Sequence, residues 1–191
     1  MSARPRITVI KIGGGLTDIP GALDAVCRAV GNAGRQVAIA VVPGGGPFAD
    51  AVRAFDHTHQ LSPDAAHWMA ILAMDQYAHV LAERIEGAQL VEEAAAVSAA
   101  VNPVGVAVLA PSRWMRAADV LPHTWDATSD SVAAFVAGAL DAEQLVLVKP
   151  SMNGAEAVDG CFASVLPAGM RWTTIPWTRI GELPRLLIEL A

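Results

Sequence analysis

Short apolar segments alternate with amphipathic ones along the whole chain. The strongest apolar segments are Ile7–Ile12, Gln36–Val42, Val104–Ala110 and Gln144–Val148, and a weaker one is Gln89–Val91. Strands that are apolar on both faces are typical of parallel sheets covered by helices on both sides. The pattern therefore predicts an α/β fold with a mainly parallel central sheet, whose strand ends are the usual place for ligands.

The segments between these strands have helical periodicity. Helices are predicted at Pro20–Ala33, at Phe48–Asp56, from the cap Ser62-Pro63 to Ile85, from Thr128-Ser129-Asp130 to about Leu140, and at Glu182–Leu190. Residues 151–176 are predicted to be rich in loops, with short strands at most. No repeat, linker or shift in composition divides the chain, so one domain over residues 1–191 is expected.

Composition excludes several classes of function. The chain is 53% hydrophobic and 17% charged, so it is not a disordered protein. Its apolar segments are too short for a membrane-spanning helix, and a net charge of −6 without a basic block argues against nucleic acid as a partner. No signal peptide is recognisable, so a cytoplasmic location is expected. We therefore expect the partner to be a small-molecule substrate.

Lysine is rare in this chain and occurs at the ends of predicted strands. There are two lysines among the 13 basic residues, and Lys11 and Lys149 each lie at or beside the carboxyl end of an apolar strand. The ammonium group is a compact charge suited to phosphate oxygens. Alternatively, the two lysines occur at these positions by chance in a sequence that otherwise prefers arginine. We expect both side chains to converge with Asp130 at the carboxyl edge of the sheet.

Two glycine loops, Gly13-Gly14-Gly15 and Gly44-Gly45-Gly46, each follow a strand. Glycine lets backbone N–H groups approach an anion closely, and the N-terminus of a following helix favours negative charge. The loops could hold two phosphate groups or one phosphate chain from both sides, or they could serve only as tight turns. Neither loop matches a Walker A loop or a dinucleotide-binding loop, which argues against a nicotinamide-dependent oxidoreductase.

Further candidates lie near these loops. Asp130 could orient the two lysines, or it could only cap its own helix. Arg53 could bind an acceptor phosphate, or it could be a solvated surface residue. His67 is the histidine expected to face a substrate. His67 and His79 are too far apart along one helix to share a metal, and we predict no metal site built by the protein.

Four motifs occur in the order seen in the amino acid kinase superfamily, which the chain resembles from residue 6 to about residue 160. The motifs are Lys11–Gly15, Val42–Pro47, Thr128–Ala134 and Leu145–Lys149. The segments 67–77 and 125–131 are similar to the small aminomethylfuran phosphate kinases of methanofuran biosynthesis. The resemblance implies a three-layer αβα sandwich and transfer of the ATP γ-phosphoryl group to a phosphate or a carboxylate. Mg²⁺ would be held mainly through the ATP phosphates.

The resemblance also implies roles for single residues. Lys11 is similar to the lysine that contacts the transferring group, Asp130 to the aspartate that organises the lysines, and Lys149 takes the second-lysine role by its position in the sheet. We expect the nucleotide phosphates at Gly13, Gly14, Gly15, Asn153 and Gly154. We expect the acceptor at Gly44, Gly45, Gly46, Arg53, His67, Asp126, Thr128 and Ser129.

One departure from the superfamily keeps other functions open. Many members carry a later Gly-Met-x-x-Lys segment, whereas Gly169-Met170-Arg171 has no lysine after it. The leading expectation is a homo-oligomeric kinase that phosphorylates a small phosphate-bearing acceptor. The acceptor that the resemblance implies is aminomethylfuran-methyl phosphate, which would be converted to its diphosphate. A carboxylate kinase and a non-catalytic protein that binds a nucleotide or an anion are the alternatives.

Overall fold

The computed structural model describes residues 6–151 and 158–189 of the chain. Its described residues form a six-stranded sheet in which every neighbouring pair of strands is parallel. The strands are β1 (Ile7–Ile12), β2 (Ala38–Pro43), β3 (Ala88–Val91), β4 (Gly105–Leu109), β5 (Gln144–Lys149) and β6 (Arg171–Pro176). Their order across the sheet is β3-β4-β2-β1-β5-β6.

Helices connect and cover the strands. They are α1 (Ala22–Gly34), α2 (Gly46–His59), α3 (Pro63–Arg84), α4 (Ala94–Ala100), α5 (Ser112–Ala118), α6 (Ser129–Ala139), α7 (Phe162–Val165) and α8 (Leu183–Glu189), with 3-10 helices at Gly14–Leu16 and Trp177–Glu182. Ser62 caps α3 as predicted, its hydroxyl accepting a hydrogen bond from the Ala65 N–H at 3.3 Å.

Several elements differ from the sequence prediction. Helices α4 and α5 were not predicted, because each buries one side chain completely, Val97 and Met115 respectively, and so has no apolar periodicity. Strand β6 lies in the segment predicted to be rich in loops. Its first two residues are exposed at the sheet edge, so it has no continuous apolar run. Helix α2 is longer than predicted and begins inside the second glycine loop.

The sheet has an apolar cluster on each face. Ile10 and Ile12 of β1 point to the face covered by α1, α8 and the C-terminal part of α3. Ile7 and Val9 point to the opposite face, where α4, α5, α6 and α7 contribute to the cluster. The predicted three-layer αβα sandwich is therefore confirmed. Because successive strand residues alternate between faces, Lys11 lies on the α6 side with Val9.

The chain changes its direction of travel across the sheet at β1. From β1 it proceeds to β2 on one side, whereas β5 lies on the other side of β1 and leads outward to β6. Ligands of parallel sheets bind beyond the carboxyl ends of strands at such a point. The carboxyl ends of β1 and β5, which carry Lys11 and Lys149, lie there. No helix within the described ranges is long and apolar enough to cross a membrane.

Candidate functional site

Lys11 and Lys149 meet on the carboxylate of Asp130. Lys11 is the register partner of Leu147, and Lys149 lies two residues further along β5, so both side chains emerge on the same face. The Lys11 Nζ atom lies 2.9 Å from Asp130 Oδ1, and the Lys149 Nζ atom donates a hydrogen bond to Asp130 Oδ2 at 2.7 Å. The predicted convergence of the three side chains is confirmed. Their catalytic roles stay predictions.

All three charges lie close together in a nearly closed environment. The side chains of Lys11, Lys149 and Asp130 are 8%, 12% and 7% exposed. Burial lowers the pKa of Lys11, with Asp130 opposing that shift and Lys149 adding to it. Burial alone would raise the pKa of Asp130, but the two lysines together hold it below its usual range. Asp130 is thus an anion that holds two cations in place.

Helix α6 places Asp130 without being capped by it. The helix N-cap is Thr128, and Asp130 lies in the first turn with its carboxylate turned to the lysines. The capping carboxylate is Asp159, whose Oδ2 accepts from the Thr128 N–H at 2.9 Å, the Thr128 hydroxyl at 2.7 Å and the Ser131 N–H at 2.9 Å. The other oxygen accepts from the Ser131 hydroxyl and, at 3.1 Å, from the Cys161 N–H.

The capping alternative for Asp130 is therefore wrong, and sequence reasoning missed Asp159. A carboxylate at a helix N-terminus is favourable, but this one comes from 28 residues or more further along the chain. The one local signal was the Asp159-Gly160 pair in a segment predicted to be a loop. Asp159 also acts on the site directly, because its negative charge opposes the lowering of the Lys11 pKa by burial.

The two glycine loops pack against each other. A Cβ atom on Gly14 would lie 2.4 Å from the Cα of Gly46, and one on Gly44 would lie 2.7 Å from the Gly14 nitrogen. Gly46 has a φ of +58°, which disfavours other residues, and the ring of Tyr77 lies against it. Close approach of two backbones is thus one physical reason for glycine here, in addition to any binding of phosphate.

Backbone donors divide the predicted phosphate loops into two groups. The Gly13 N–H donates to the Val148 carbonyl at 3.3 Å and the Gly44 N–H to the Ile12 carbonyl at 2.8 Å, so both extend the sheet. Gly14 and Gly15 begin a 3-10 helix, and Gly45 and Gly46 begin α2. The first N–H groups of a helix have no partner within it. These four glycines, rather than Gly13 and Gly44, are suited to hold an anion.

A cavity of about 500 Å³ lies beside these four glycines, between α2, α3 and the segment 123–129. Most of the predicted acceptor residues line it, together with two of the predicted nucleotide loop: Gly14, Gly15, Gly45, Gly46, Arg53, His67, Thr128 and Ser129. Gly44 and Asp126 do not line it, and Asp126 is exposed. Asn153 and Gly154 lie outside the described residues.

One wall of the cavity is built around Trp125. The indole Nε1 donates a hydrogen bond to Asp56 Oδ2 at 2.8 Å, and the guanidinium carbon of Arg53 lies 4.7 Å from the centroid of the indole ring. Arg53 is also paired with Asp50 at 2.8 Å. The sequence analysis missed the roles of Asp56 and Trp125, because nothing local connects residues 69 positions apart.

Two stacked histidines form another part of the wall. The ring centroids of His67 and His123 are 4.2 Å apart. Burial and the neighbouring His123 lower the pKa of His67. Hydrogen bonds to Asp64, at 2.6 Å, and to Asp119, at 2.9 Å, raise the pKa of His123. His67 therefore favours its neutral form, and His123 connects α3 to the end of α5.

The described residues contain no group of three or more His, Cys, Asp or Glu side chains placed to hold a metal ion.

The Gly169-Met170-Arg171 segment lies away from the lysines. Arg171 begins β6 opposite Gln144, at the amino edge of the sheet, and its guanidinium lies 3.3 Å from the Glu143 carboxylate. Arg171 is thus not a substitute for a lysine at the site.

The chain is similar to several known proteins. The model of the amino acid kinase family matches residues 6–151. Over 155 residues the chain is 30% identical to the (5-(aminomethyl)furan-3-yl)methyl phosphate kinase of Methanocaldococcus jannaschii, a match that covers 81% of this chain and 67% of that protein.

Two solved structures share the fold. The UMP kinase from Bacillus anthracis has a TM-score of 0.71 at 12% identity, with 98% of this chain and 93% of that one covered. The uridylate kinase from Archaeoglobus fulgidus has a TM-score of 0.59 at 17% identity and 75% coverage of this chain. The chain spans 63% of the length of that archaeal structure.

Proposed function

Because this chain belongs to the amino acid kinase family, we propose that it transfers the γ-phosphoryl group of ATP to a small acceptor that already carries a phosphate. The predicted family and the kinase class are confirmed by the family match and by the name of the archaeal relative. The acceptor we propose is the furan phosphate in that relative's name, converted to its diphosphate. At 30% identity, the acceptor needs support from the site itself.

The arrangement of Lys11, Asp130 and Lys149 is the observation that carries the proposal. These three side chains do not line the cavity themselves, but Gly14 and Ser129, close to Lys11 and Asp130 in the chain, do. Two ammonium groups are held on one carboxylate at the carboxyl ends of β1 and β5. Phosphoryl transfer depends mainly on positioning and on neutralising the charge of the transferring group. A buried pair of cations with a fixed geometry supplies both.

The transfer itself needs no general base. An oxygen of the acceptor phosphate, already anionic, attacks the γ-phosphorus of ATP, the bond from that phosphorus to the β–γ bridging oxygen breaks, and ADP leaves with the electron pair. Asp130 is occupied by two lysines, and its pKa is held low, so it is poorly placed to accept a proton. Its role in the proposal is to position Lys11 and Lys149.

The donor and acceptor are assigned to opposite sides of the lysines. The cavity lies toward β2, α2 and α3, with Gly14, Gly15, Gly45 and Gly46 at its wall, and suits the acceptor. Gly14 and Gly15, which the sequence analysis expected at the nucleotide phosphates, are thus reassigned to the acceptor in this proposal. The nucleotide is then expected toward β5 and β6, where the predicted residues Asn153 and Gly154 follow Lys149 in the chain. Mg²⁺ would enter on the ATP phosphates as part of the substrate.

Three predictions concern the protein as a whole: its domain organisation, its assembly and its location. We infer that residues 1–191 form one kinase domain, because one sheet extends from residue 7 to residue 176. Assembly into a homo-oligomer and a cytoplasmic location also remain predictions. The intact contacts of Lys11 and Lys149 with Asp130 support turnover over the non-catalytic alternative.

An assay of ADP release with MgATP and a panel of acceptors tests the proposal. The panel contains the furan phosphate, UMP, and amino acids with a side-chain carboxylate, and Asp130→Asn serves as the inactive variant. We expect ADP release with a phosphate monoester and a loss of at least about 100-fold in Asp130→Asn. Turnover of carboxylates alone would establish the alternative acceptor class, and turnover of nothing would overturn the proposed function.

A further inference from the structure

Asp56 places an unneutralised carboxylate in the wall of the cavity. Its Oδ1 accepts a hydrogen bond from the Leu61 N–H at 2.9 Å, and its Oδ2 accepts one from the Trp125 indole at 2.8 Å. Both donors are uncharged. Asp50, six residues earlier on α2, is instead paired with Arg53 at 2.8 Å.

No described residue forms an ion pair with Asp56. Each of its carboxylate oxygens keeps a second acceptor position after its one hydrogen bond. A partly buried anion fixed by neutral donors attracts a cation more strongly than a solvated carboxylate does. Asp56 therefore has the geometry of a receptor for a positively charged ligand group.

The position of Asp56 relative to the glycine loops fits a short ligand with two charged ends. Gly46, Arg53 and Asp56 all line the cavity along one side of α2. Asp56 lies ten residues beyond Gly46, which corresponds to about 15 Å along the helix axis. A furan ring with phosphate and ammonium arms spans roughly 7–8 Å between its charged ends by ordinary bond lengths. A hydrogen bond at each end accounts for much of the remaining distance.

The neighbouring charges are compatible with a cation at Asp56. Arg53 also lines the cavity, but its charge is matched by Asp50, and its guanidinium lies over the indole of Trp125. Burial keeps the pKa of His67 low and favours a neutral ring, while His123 is held between two carboxylates of its own. Asp56 is the carboxylate of this wall that none of these cations engages.

We propose that Asp56 binds a primary ammonium group of the acceptor and thereby selects the substrate. The substrate class is a small phosphate monoester that carries an ammonium group at the end opposite its phosphate, with a planar ring between them. Trp125 holds the Asp56 carboxylate in position. This inference rests on the proposed function, because it assigns the other end of the same acceptor to the glycine loops.

A comparison of two acceptors tests the role of the charge. The first is the aminomethyl furan phosphate, and the second is the same ester with a methyl group in place of the aminomethyl group. Asp56→Asn keeps the shape and an oxygen that can accept from Trp125. Asp24→Asn is the matched control, because it removes a carboxylate that is paired with Arg84 at 2.7 Å and does not line the cavity. Circular dichroism and melting temperatures establish that both variants fold.

We expect the wild-type protein to prefer the ammonium-bearing ester by about 10–100-fold in kcat/KM. Asp56→Asn should lose at least about 10-fold of that preference, mainly through KM, and Asp24→Asn should keep it within about 3-fold. Equal loss in both variants, or an unchanged preference in Asp56→Asn, would overturn the assignment. If Asp56→Asn does not fold, the wild-type protein is tested alone. A preference for the ammonium-bearing ester then supports the assignment, and equal kcat/KM values for the two esters overturn it.

Calorimetric binding of the two esters separates this inference from the proposed function. If the wild-type protein binds the ammonium-bearing ester more tightly but releases no ADP, the transfer reaction fails while recognition by Asp56 stands. If it releases ADP with both esters equally well, the kinase proposal stands and the role of Asp56 is wrong. Binding of neither ester overturns the inference as well.

Discussion

Lys11 and Lys149 share one carboxylate but do not share one environment. Lys11 lies in the central strand of the sheet, and burial lowers its pKa despite the contact with Asp130. A lysine with a lowered pKa loses its proton at a lower pH than a solvated lysine does. The positive charge on Lys11 therefore disappears earlier than usual as the pH rises.

A titration of the two lysines by NMR checks this. The chain has two lysines, so selective labelling of the side-chain nitrogen gives two ammonium signals, and a Lys149→Arg variant assigns them. We expect the Lys11 signal to titrate below the ordinary value of 10.5 and the alkaline loss of kcat to follow it. A Lys11 signal that titrates at or above 10.5 would contradict the electrostatic description of the site.

Replacement of Lys11 tests which state it stabilises. We expect Lys11→Ala to lower kcat by about 10²–10⁴ and to change KM less, because charge redistributes at the transferring group in the transition state. Lys11→Arg should restore little, since a planar guanidinium does not reproduce a compact ammonium beside Gly13. Arg6→Ala, just before the amino end of β1, is the control and should keep normal turnover. Near-normal turnover in Lys11→Ala would show that Lys11 has only a structural role.

At the scale of elements, α6 is the part that places Asp130. Its start is held by Thr128 from its own segment and by Asp159 from the segment after β5. Four hydrogen bonds to one carboxylate couple that later segment to the first turn of α6. The position of Asp130 thus depends on a residue that follows β5 in the chain.

We expect Asp159→Asn to destabilise the protein by about 1–3 kcal/mol, because the amide group of asparagine faces donors that it cannot satisfy. The melting temperature should fall by about 2–4 °C for each kcal/mol. Asp141→Asn removes a carboxylate just beyond the other end of α6, where negative charge is unfavourable, and should leave the melting temperature equal or slightly higher. Equal melting temperatures for Asp159→Asn and wild type would exclude the capping role.

At the scale of the whole molecule, the site is a junction of three parts of the sheet. The loops after β1 and β2 pack together through glycine, and the end of β5 brings Lys149 beside the first loop. The cavity is enclosed by helices that follow β2 and by the segment before α6. The relative positions of these parts are fixed by the parallel sheet and by the two apolar clusters that cover it.

Gly14→Ala tests this junction. The added methyl group would lie 2.4 Å from the backbone of Gly46, so the two loops must move apart. We expect a loss of about 1–3 kcal/mol of stability, together with a loss of ADP release. Gly181→Ala, where an added methyl group has no neighbour within 4 Å, should match the wild-type protein in both measurements. Normal stability and turnover in Gly14→Ala would show that loop contact is not required.

The sequence by itself determined those features that depend on neighbouring residues. Continuous apolar runs marked β1, β2, β4 and β5, because a strand buried on both faces has few polar positions. The parallel arrangement then placed Lys11 and Lys149 at the same sheet edge, and Asp130 was predicted as their partner from its position, a role that the resemblance also implied. Exposed β6 and the short helices α4 and α5 lacked such a pattern, since few of their residues are fully buried.

Only the tertiary structure decided which residues enclose the cavity and which ones hold α6. Asp56 contacts Trp125 across 69 positions, and Asp159 contacts Thr128 across 31. The structure also divided the glycines, with the N–H groups of Gly13 and Gly44 bonded within the sheet and Gly14, Gly15, Gly45 and Gly46 facing the cavity. Such partners are selected by the packing of whole elements, and packing leaves no periodic mark in the local sequence.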